Sequence, residues 1–376
     1  MPICVAVPRE TTPGERRVAV VPEVAKKLAD RGIEVLVEAG AGSSAFHRDI
    51  DYTAARIVRD RAELFGRADI VLTVQPLVPE DTARLREGAT VIGFLHPHEY
   101  PERIVALRDH GITGFAMELI PRISRAQGMD ALSSQASIAG YKGALLAAEN
   151  TARFFPMLTT AAGTIRPARV LVIGVGVAGL QAIATARRLG ALVEAYDVRP
   201  ETREQVESLG AKFVDVQVNA EGSGGYAREL TETEKQQEMK ILAEHVAGAD
   251  AIISTAGVPG KRAPVIITTA MVEKMKPGSV IIDLAAYSGG NCELTIPGEA
   301  FGHELVMIHG PLNVPALLPV HASEMFAKNL FNFLSLIIRE DAVDPDWEDE
   351  IVTGSLLTRT GRICHEWTRQ CVEEGS

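Results

Sequence analysis

The chain has 376 residues, of which 46% are apolar and 23% charged, and a formal net charge of -11. This composition is typical of a soluble globular protein, and the length exceeds what one ordinary core needs, so we expect two domains. The negative charge argues against nucleic acid or an acidic membrane surface as a direct partner. No apolar run reaches the roughly 18 residues of a membrane-spanning helix, so we expect no direct membrane span.

Cysteine usage and the opening residues bear on the compartment. Cys4, Cys292, Cys364 and Cys371 include no C-x-x-C pair, which fits a reducing cytoplasm better than a disulfide framework. The opening residues MPICVAVPRE lack the basic and then apolar stretches of a secretory signal. We therefore expect a cytoplasmic protein.

In the first third of the chain, short apolar runs alternate with helical patterns. Repeated strand and helix units predict a mostly parallel sheet that is covered by helices. The predicted strands are residues 3–7, 34–37, 70–74, 90–95 and 114–117, and the predicted helices are 22–31, 54–65 and 79–86. A longer helical pattern follows at 133–150, with Ser133 and Ser134 as candidate N-terminal caps.

The most informative part of the sequence is residues 170–199, VLVIGVGVAGLQAIATARRLGALVEAYDVR. A predicted strand precedes Gly174, Gly176 and Gly179, which form G-x-G-x-x-G, and a predicted helix follows them. In this motif the first glycine permits a tight turn, and the second lets a pyrophosphate approach the backbone. The third lets the helix and strand pack closely. The N–H groups at the start of the helix would then face the phosphates.

A second predicted strand, residues 191–196, ends at Asp197. A carboxylate here accepts hydrogen bonds from both ribose hydroxyls of NAD(H) and repels the 2′-phosphate of NADP(H). Arg199 could meet a 2′-phosphate, but the acid in the primary position favours NAD(H). A purely structural glycine turn is the alternative, and the surrounding strand, helix, strand and acid argue against it.

The remaining elements suggest how the domains are arranged. Further strands are predicted at 212–214, 251–254, 280–284 and 305–308, and a second long helix at 321–338 places Phe326, Leu330, Phe333 and Leu334 on one stripe. We predict an α/β fold with two Rossmann-like doubly wound domains linked by two long helices. The first domain is discontinuous, residues 1–133 plus 322–376, and the second, residues 134–321, binds NAD(H).

Residues 219–227, NAEGSGGYA, interrupt the alternation of strands and helices. Three glycines and a serine beside Tyr226 make a segment that can change conformation easily. An ordinary surface loop is one interpretation of this segment, and a lid that closes over a ligand is the other.

Five segments together resemble one family closely. They are PRE with GERRVAVVP in residues 8–22, PRISRAQGMDALSS, VLVIGVGVAGL, GGYA, and KPGSVIIDLA. The chain resembles the NAD(H)-binding component, domain I, of proton-translocating NAD(P) transhydrogenase over almost its whole length. The pattern R-x-x-x-x-Q-x-x-D with a following serine is specific to that family, and the length resembles the form in which this component is a separate soluble alpha subunit.

The resemblance implies roles for individual residues. Arg122, Gln127, Asp130 and Ser133 would hold the nicotinamide and its ribose, and Tyr226 would belong to a mobile loop that closes on the nucleotide. The implied contacts with NAD(H) are Arg122, Ile123, Ser124, Gln127, Gly174, Gly176, Val177, Ala178, Gly179, Asp197, Val198, Arg199 and Gly225. From the residues alone, Gln127 and Asp130 could equally serve the backbone of the turn before the helix.

The resemblance also implies a reaction and partners. The chain would be the alpha-subunit component of an enzyme that transfers hydride, with Si-side specificity, from NADH to NADP+ bound on a partner subunit. Proton translocation through a membrane-spanning subunit would drive this transfer. A homodimer, peripheral to the inner (plasma) membrane through its partners, is expected. Glu238 and Gly257 depart from the family pattern, which has a glutamine and a larger apolar residue near the adenine.

Two other functions are weighed against this one. Alanine dehydrogenases share the PRE and RVAV opening, but their substrate lysine is replaced here by Gln75, whose neutral amide cannot pair with a carboxylate. His96 matches their catalytic histidine and is more simply a structural group at a strand end. His96 and His98 have no further ligands in sequence, so we expect no metal site. A non-catalytic NAD(H)-sensing module is the third hypothesis.

Overall fold

Apolar runs form the strands of two separate, mostly parallel sheets. The computed structural model describes residues 2–215, 232–257 and 262–374. It divides into a first unit, Met1–Gln135 with Pro315–Ser376, and a second unit, Ala136–Val314. Among the described residues, no helix is both long enough and apolar enough to cross a bilayer.

The described strands are, in chain order, β1 Cys4–Val7, β2 Glu34–Glu38, β3 Arg56–Val58, β4 Ile70–Leu72, β5 Thr90–Gly93, β6 Thr113–Ala116, β7 Leu158–Thr160, β8 Gly163–Ile165, β9 Arg169–Ile173, β10 Leu192–Tyr196, β11 Lys212–Phe213, β12 Ala251–Ser254, β13 Val280–Asp283, β14 Ala300–His303, β15 Val306–His309, β16 Ile338–Arg339, β17 Ala342–Val343, β18 Leu356–Arg359 and β19 Arg362–Ile363. The described α-helices are α1 Pro22–Ala29, α2 Arg61–Arg67, α3 Pro79–Thr82, α4 Pro101–Asp109, α5 Ala131–Asn150, α6 Val177–Arg188, α7 Arg203–Ser208, α8 Glu232–Gly248, α9 Thr269–Val272, α10 Pro319–Ile337, α11 Glu350–Ser355 and α12 Glu366–Glu374.

The sheet of the first unit has the strand order β19-β18-β6-β5-β4-β1-β2-β3. The pairs from β6 to β3 are parallel, whereas β18 and β19 add antiparallel strands from the C-terminal part of the chain. Strand β1 lies between β2 and β4, so the strand order reverses there, as in a doubly wound fold. The C-terminal residues therefore complete the sheet of the first unit.

Alternate residues of the central strand β1 are buried on opposite faces of this sheet. Val5 and Val7 pack in one apolar cluster, and Cys4 and Ala6 pack in another. A strand that is buried on both faces needs an almost continuous apolar run, which the sequence supplies here. The predicted apolar stripe of α10 is confirmed, because Phe326, Leu330, Phe333 and Leu334 are at most 1% exposed.

The second unit repeats the same plan with the order β11-β10-β9-β12-β13-β15-β14. All pairs except β14 with β15 are parallel. Strand β9 lies between β10 and β12, so the strand order of this sheet reverses beside the glycine motif. Val170 and Val172 pack on one face, and Leu171 and Ile173 pack on the other. The prediction of two Rossmann-like doubly wound sheets is confirmed.

Three local predictions are wrong. The predicted helix at 54–65 is instead strand β3 followed by α2, because Asp60 caps a helix there by accepting a hydrogen bond from the Ala62 amide at 2.8 Å. Ser133 and Ser134 do not begin α5, which starts at Ala131. The antiparallel hairpin β7–β8 was not predicted.

Candidate functional site

The glycine motif forms the turn between β9 and α6 in the second unit. Gly174 has a φ of +90°, and its amide donates to the carbonyl oxygen of Tyr196 at 2.8 Å. A Cβ atom on Gly179 would lie 1.9 Å from the carbonyl oxygen of Gly174, so only glycine permits this close packing. A Cβ atom on Gly176 would meet no atom within 4 Å. The open space beside Gly176 is what a pyrophosphate needs to approach this backbone.

Asp197 follows β10 and lies beside this turn. Its carboxylate accepts hydrogen bonds from the Val175 amide at 2.6 Å and from the Arg199 amide at 2.9 Å. The Arg199 guanidinium donates to both carboxylate oxygens at 3.0 Å. Burial raises the pKa of Asp197, but the bonds from Arg199 and Val175 outweigh it, so the pKa lies below its ordinary value. The structure therefore pairs the two side chains whose effects on cofactor choice were weighed separately.

The loop after β12 is the next segment against the glycine turn. The Thr255 hydroxyl donates to the carbonyl oxygen of Gly174 at 2.9 Å. The fully buried amide of Asn291 accepts from the Ala256 N–H at 3.0 Å and donates to the carbonyl oxygens of Ala256 and Pro264 at 2.7 and 2.9 Å. Asn291 thus fixes the backbone beside the turn. Sequence reasoning missed Thr255 and Asn291, because both act through contacts distant in sequence.

A buried carboxylate in turn fixes Asn291. Asp283, the last residue of β13, accepts hydrogen bonds from the backbone amides of Ala285, Asn291 and Cys292. It also accepts from the hydroxyl of Thr295 at 2.6 Å. These bonds satisfy a fully buried acid and hold the loop after β13 in one conformation. An acid at the end of an apolar strand was the sequence signal that could have found this group.

Helix α5 contacts the glycine turn within the second unit. A Cβ atom on Gly140 would lie 2.0 Å from the carbonyl oxygen of Ala178, in the first turn of α6. The helix backbone therefore passes directly against one of the predicted phosphate contacts, which only glycine allows. No sequence motif marked Gly140, since the close approach depends on packing between two helices.

In the first unit, the predicted nicotinamide loop surrounds a cavity of about 250 Å³. The cavity is lined by Pro121, Arg122, Ile123, Ser124, Ala126, Gln127 and Asp130. Buried Ala126 and Met129 anchor a 3-10 helix at Ser124–Met129, whereas Arg122, Ser124 and Gln127 are exposed. In the described part of the chain, the side chains of Arg122 and Gln127 have no hydrogen-bond partner. They are available to a ligand.

Helix α10 and the N-terminal end of α11 hold this loop in place. The side-chain amides of Asn329 and Asn332 donate to the carbonyl oxygen of Gly128 at 3.0 and 2.8 Å. The Arg125 guanidinium forms two hydrogen bonds to Asp349 at 2.7 and 2.8 Å and lowers the pKa of that acid to about 2. The loop backbone is therefore fixed while its polar side chains stay exposed.

Asp130 has a structural partner already. Its carboxylate accepts from the Ser133 amide at 2.8 Å and from the Ser133 hydroxyl at 2.6 Å, which caps α5. Asp130, and not Ser133 or Ser134, is therefore the N-terminal cap. The structural role for Asp130 that the sequence left open is real, and a contact with nucleotide would have to be made in addition to it.

The predicted site residues thus fall into two groups. Arg122, Ile123, Ser124, Gln127, Asp130 and Ser133 lie together in the first unit, and Gly174, Gly176, Val177, Ala178, Gly179, Asp197, Val198 and Arg199 lie together in the second. Gly225 and Tyr226 lie outside the described residues, as do the predicted lid and the side chain of Glu238. Gly257 is described and is exposed at the end of the loop after β12.

A polar cluster in the first unit surrounds Gln75, at the position of the alanine dehydrogenase lysine. The Gln75 side chain donates to Glu15 at 2.8 Å, and Glu15 forms a buried ion pair with Arg17 at 2.6 Å. Arg17 also donates to Gln135 at 2.9 Å. Burial raises the pKa of Glu15, but the hydrogen bonds and charge of Arg17 outweigh this and lower it to about 2. The buried cation of this cluster is thus already neutralised by an internal carboxylate.

His96 adjoins this cluster in an uncommon conformation. Its φ is +43°, and both its amide and the Leu95 amide donate to one oxygen of Glu118, at 2.6 and 2.9 Å. Burial, and then the charge of Arg17, lower the pKa of His96 to about 4. Burial raises the pKa of Glu118 to about 7, despite those amides, and its other carboxyl oxygen is buried without a hydrogen bond. The imidazole is therefore neutral near pH 7.

Glu118 makes the stability of the first unit depend on pH. Because its folded pKa lies above its unfolded pKa, we expect unfolding free energy to fall as pH rises from 6 to 8. Glu118→Gln should remove on the order of 1–3 kcal/mol of that fall. Burial also raises the pKa of Glu10 to about 7, so part of the dependence will remain. Urea unfolding at both pH values measures this. The exposed Glu87→Gln is the control, and an equal pH dependence in all three proteins would contradict the prediction.

Comparisons with known proteins identify the family. The family model for the alanine dehydrogenase/PNT N-terminal domain matches residues 6–139, and the model for its C-terminal domain matches residues 143–366. The first of the separate chains that make up the NAD(P) transhydrogenase alpha subunit of Rhodospirillum rubrum is 49% identical, with 96% of this chain and 97% of that protein covered. Its counterpart from Rickettsia prowazekii is 42% identical, with 97% of each chain covered.

Solved structures give the same result. A transhydrogenase from Sinorhizobium meliloti superposes with a TM-score of 0.85 at 42% identity, with 96% of this chain and 99% of that chain covered. An L-alanine dehydrogenase has a TM-score of 0.84 at 24% identity over 100% of each chain, which shows a shared fold. The chain belongs to the alanine dehydrogenase/PNT family and, within it, to the NAD(P) transhydrogenase alpha subunits.

Proposed function

We propose that this chain is the NAD(H)-binding component of a proton-translocating transhydrogenase. It passes hydride from NADH, with Si-side specificity, to NADP+ that is bound on a partner subunit. The division of labour follows the predicted domains, with residues 134–321 binding NAD(H) and residues 1–133 plus 322–376 carrying the nicotinamide loop. A third, membrane-spanning subunit supplies the proton translocation that is coupled to this transfer.

One observation carries the proposal, namely the loop whose backbone is fixed while Arg122 and Gln127 remain exposed and, within the residues described, unpaired. Hydride transfer between two nicotinamides requires alignment and exclusion of water but no acid or base. When bound, NADH supplies the hydride. Arg122 and Gln127 orient its nicotinamide half, Asp130 and Ser133 support them from the start of α5, and Tyr226 is proposed to close over the nucleotide.

The second unit supplies the rest of the dinucleotide site. The open space beside Gly176 and the N–H groups at the start of α6 suit a pyrophosphate, with Val177, Ala178 and Gly179 in the first turn. Asp197 takes the ribose hydroxyls, and for this Arg199 must give up part of its present pairing. Ile123, Ser124 and Gly225 complete the contacts that we propose.

The function is tested by an NADH titration of the chain, followed by transhydrogenation assays with and without the NADP-binding partner subunit. We expect tight NADH binding, almost no reaction alone, and hydride transfer once the partner is added. The chain should not oxidise NADH in the presence of pyruvate and ammonia, since Gln75 offers no cation and Arg17 is paired with Glu15. Efficient alanine formation would instead assign the chain an alanine dehydrogenase activity.

We also propose that the chain forms a homodimer at the cytoplasmic side of the inner membrane, where its partner subunits hold it. The hairpin β7–β8 supports self-association, since every residue in its two strands is exposed. Leu158 and Ile165 are paired across it and are 38% and 46% exposed. A two-stranded hairpin is barely stable in water by itself, so a second copy is a reasonable support for it.

Replacing both Leu158 and Ile165 by lysine should weaken the dimer by about 100-fold, because two charges would be buried at its interface. Sedimentation velocity over a concentration series measures the change. Leu305→Lys is the control, because this leucine is 68% exposed in the turn between β14 and β15. A monomeric unmodified chain would refute the homodimer, and an unchanged dimer in the double variant would exclude the hairpin as its interface.

A further inference from the structure

An exposed aromatic side chain stands at the nucleotide edge of the second sheet and has no role in the site described above. Tyr287 is 66% exposed and lies in the 3-10 helix Ala286–Ser288, directly after the buried end of β13. Gly289 and Gly290 follow it with φ values of +103° and +81°, so the chain turns sharply behind the ring. Exposure of a whole aromatic ring leaves a large apolar area without a partner.

The ring reaches toward the position where the sequence departs from the family pattern. The Tyr287 hydroxyl oxygen lies 3.9 Å from where a Cβ atom on Gly257 would stand. Gly257 ends the loop that contacts the glycine turn, since a Cβ atom on Gly174 would lie 2.8 Å from the Ala256 amide nitrogen. Tyr287, Gly257 and the glycine turn are therefore neighbours along the same edge.

The backbone on both sides of Tyr287 is firmly held. Asp283 accepts from the amides of Ala285 and Asn291, before and after the tyrosine. Asn291 then connects this turn to the Gly257 loop through its bonds to Ala256. The exposure of Tyr287 is thus imposed by a braced turn, so its ring is presented to solvent in a defined place at little further entropic cost.

We propose that Tyr287 is a dinucleotide-binding residue that contacts the adenine half of NAD(H) from the side of Gly257. The family pattern has a larger apolar residue at the position of Gly257, and glycine leaves that contact area unfilled. The phenol ring of Tyr287 supplies apolar area from the neighbouring loop, and its hydroxyl adds a hydrogen-bond donor. The inference rests on NAD(H) binding by this chain and assigns the specific residue that restores the lost contact.

The test is titration of the full chain with NADH and with ADP-ribose, which lacks the nicotinamide. Tyr287→Ala should weaken both ligands by roughly tenfold, and Tyr287→Phe by roughly threefold, since it keeps the ring and loses only the hydroxyl. Phe154→Ala is the control and should change neither affinity. Phe154 is also an exposed aromatic, at 54%, but its carbonyl accepts from Ala168 at the opposite end of β9.

A second pair of variants tests the compensation itself. Gly257→Leu should recover affinity in the Tyr287→Ala background and should not improve it in the unmodified chain, where the tyrosine already occupies the space. Tyr287→Ala binding both ligands as tightly as the unmodified chain would overturn the proposal. A loss for NADH without a loss for ADP-ribose would also overturn it, by moving the contact to the other half. If the unmodified chain bound no NADH, the proposed function would fail first.

Discussion

Gln127→Asn is expected to slow hydride transfer by about 100-fold, with the partner subunit present, while NADH affinity changes by no more than roughly threefold. Asparagine keeps the amide but draws it back by one methylene, a displacement of about 1 Å. Because the Gln127 side chain is exposed and has no hydrogen-bond partner in the described part of the chain, its shortening should not disturb the fold. The defect should therefore appear in the rate.

The measurement pairs a single-turnover transhydrogenation assay with an NADH titration of the same protein. Gln370→Asn, in the exposed part of α12, applies the same chemical change far from the loop in sequence and should alter neither quantity. A rate for Gln127→Asn close to that of the unmodified chain would remove this residue from the nicotinamide site. An equal loss in rate and affinity would make it an ordinary binding residue rather than an aligning one.

Asp130 needs a stricter design, because it caps α5. Asparagine is as good an N-terminal cap as aspartate, so Asp130→Asn should leave the thermal midpoint nearly unchanged. Loss of the charge should still lower the transfer rate if the carboxylate contacts the nicotinamide ribose. Ser133→Ala removes the hydroxyl that donates to Asp130 and reports the structural contribution separately. If the rate and the thermal midpoint fall together in both variants, capping alone explains Asp130.

The local parts of the fold could be predicted from the sequence because their signals are local. Strand β9 is a short apolar run, and the three glycines that follow it have distinct steric requirements that the structure displays. The doubly wound plan followed from the alternation of such runs with helical patterns. The helix predicted at 54–65 was wrong because a three-residue strand and a capped seven-residue helix together imitate one helical pattern.

The supporting contacts could not be predicted in the same way. Gly140 matters because a second helix passes against it, and Asn291 matters because its amide reaches a loop 35 residues away in sequence. The pairing of Arg199 with Asp197 was equally hidden, since the sequence suggested only that the two could have opposite preferences. Each of these depends on where separate elements meet, and no spacing rule describes that.

Asp197→Ala is the variant with the second large expected effect. It should weaken NADH by roughly 10- to 100-fold, because hydrogen bonds between ribose hydroxyls and a charged acceptor are lost. It should also release the Arg199 guanidinium, which now donates to both oxygens of Asp197. A freed arginine beside the ribose suits a 2′-phosphate, so NADPH affinity should rise and the preference for NADH should narrow or reverse.

Arg199 separates the two causes. Arg199→Ala alone should leave NADH binding intact or slightly stronger, since Asp197 keeps its bond from the Val175 amide and no longer shares its oxygens with a guanidinium. The double variant should lose NADH without gaining NADPH, because neither the acceptor nor the cation remains. Fluorescence titrations of all three variants with both nucleotides, at one ionic strength, measure these differences.

The set of affinities then decides what selects the cofactor. If Asp197→Ala gains NADPH only while Arg199 is present, selection lies in the ion pair, with the acid restraining an arginine that would otherwise accept the phosphorylated ribose. If NADPH affinity rises equally in the double variant, simple removal of negative charge explains the preference and Arg199 has no part in it. Equal binding of NADH and NADPH by the unmodified chain would contradict the assignment of Asp197 altogether, because a buried carboxylate with a lowered pKa remains charged near pH 7 and must disfavour a phosphate beside it.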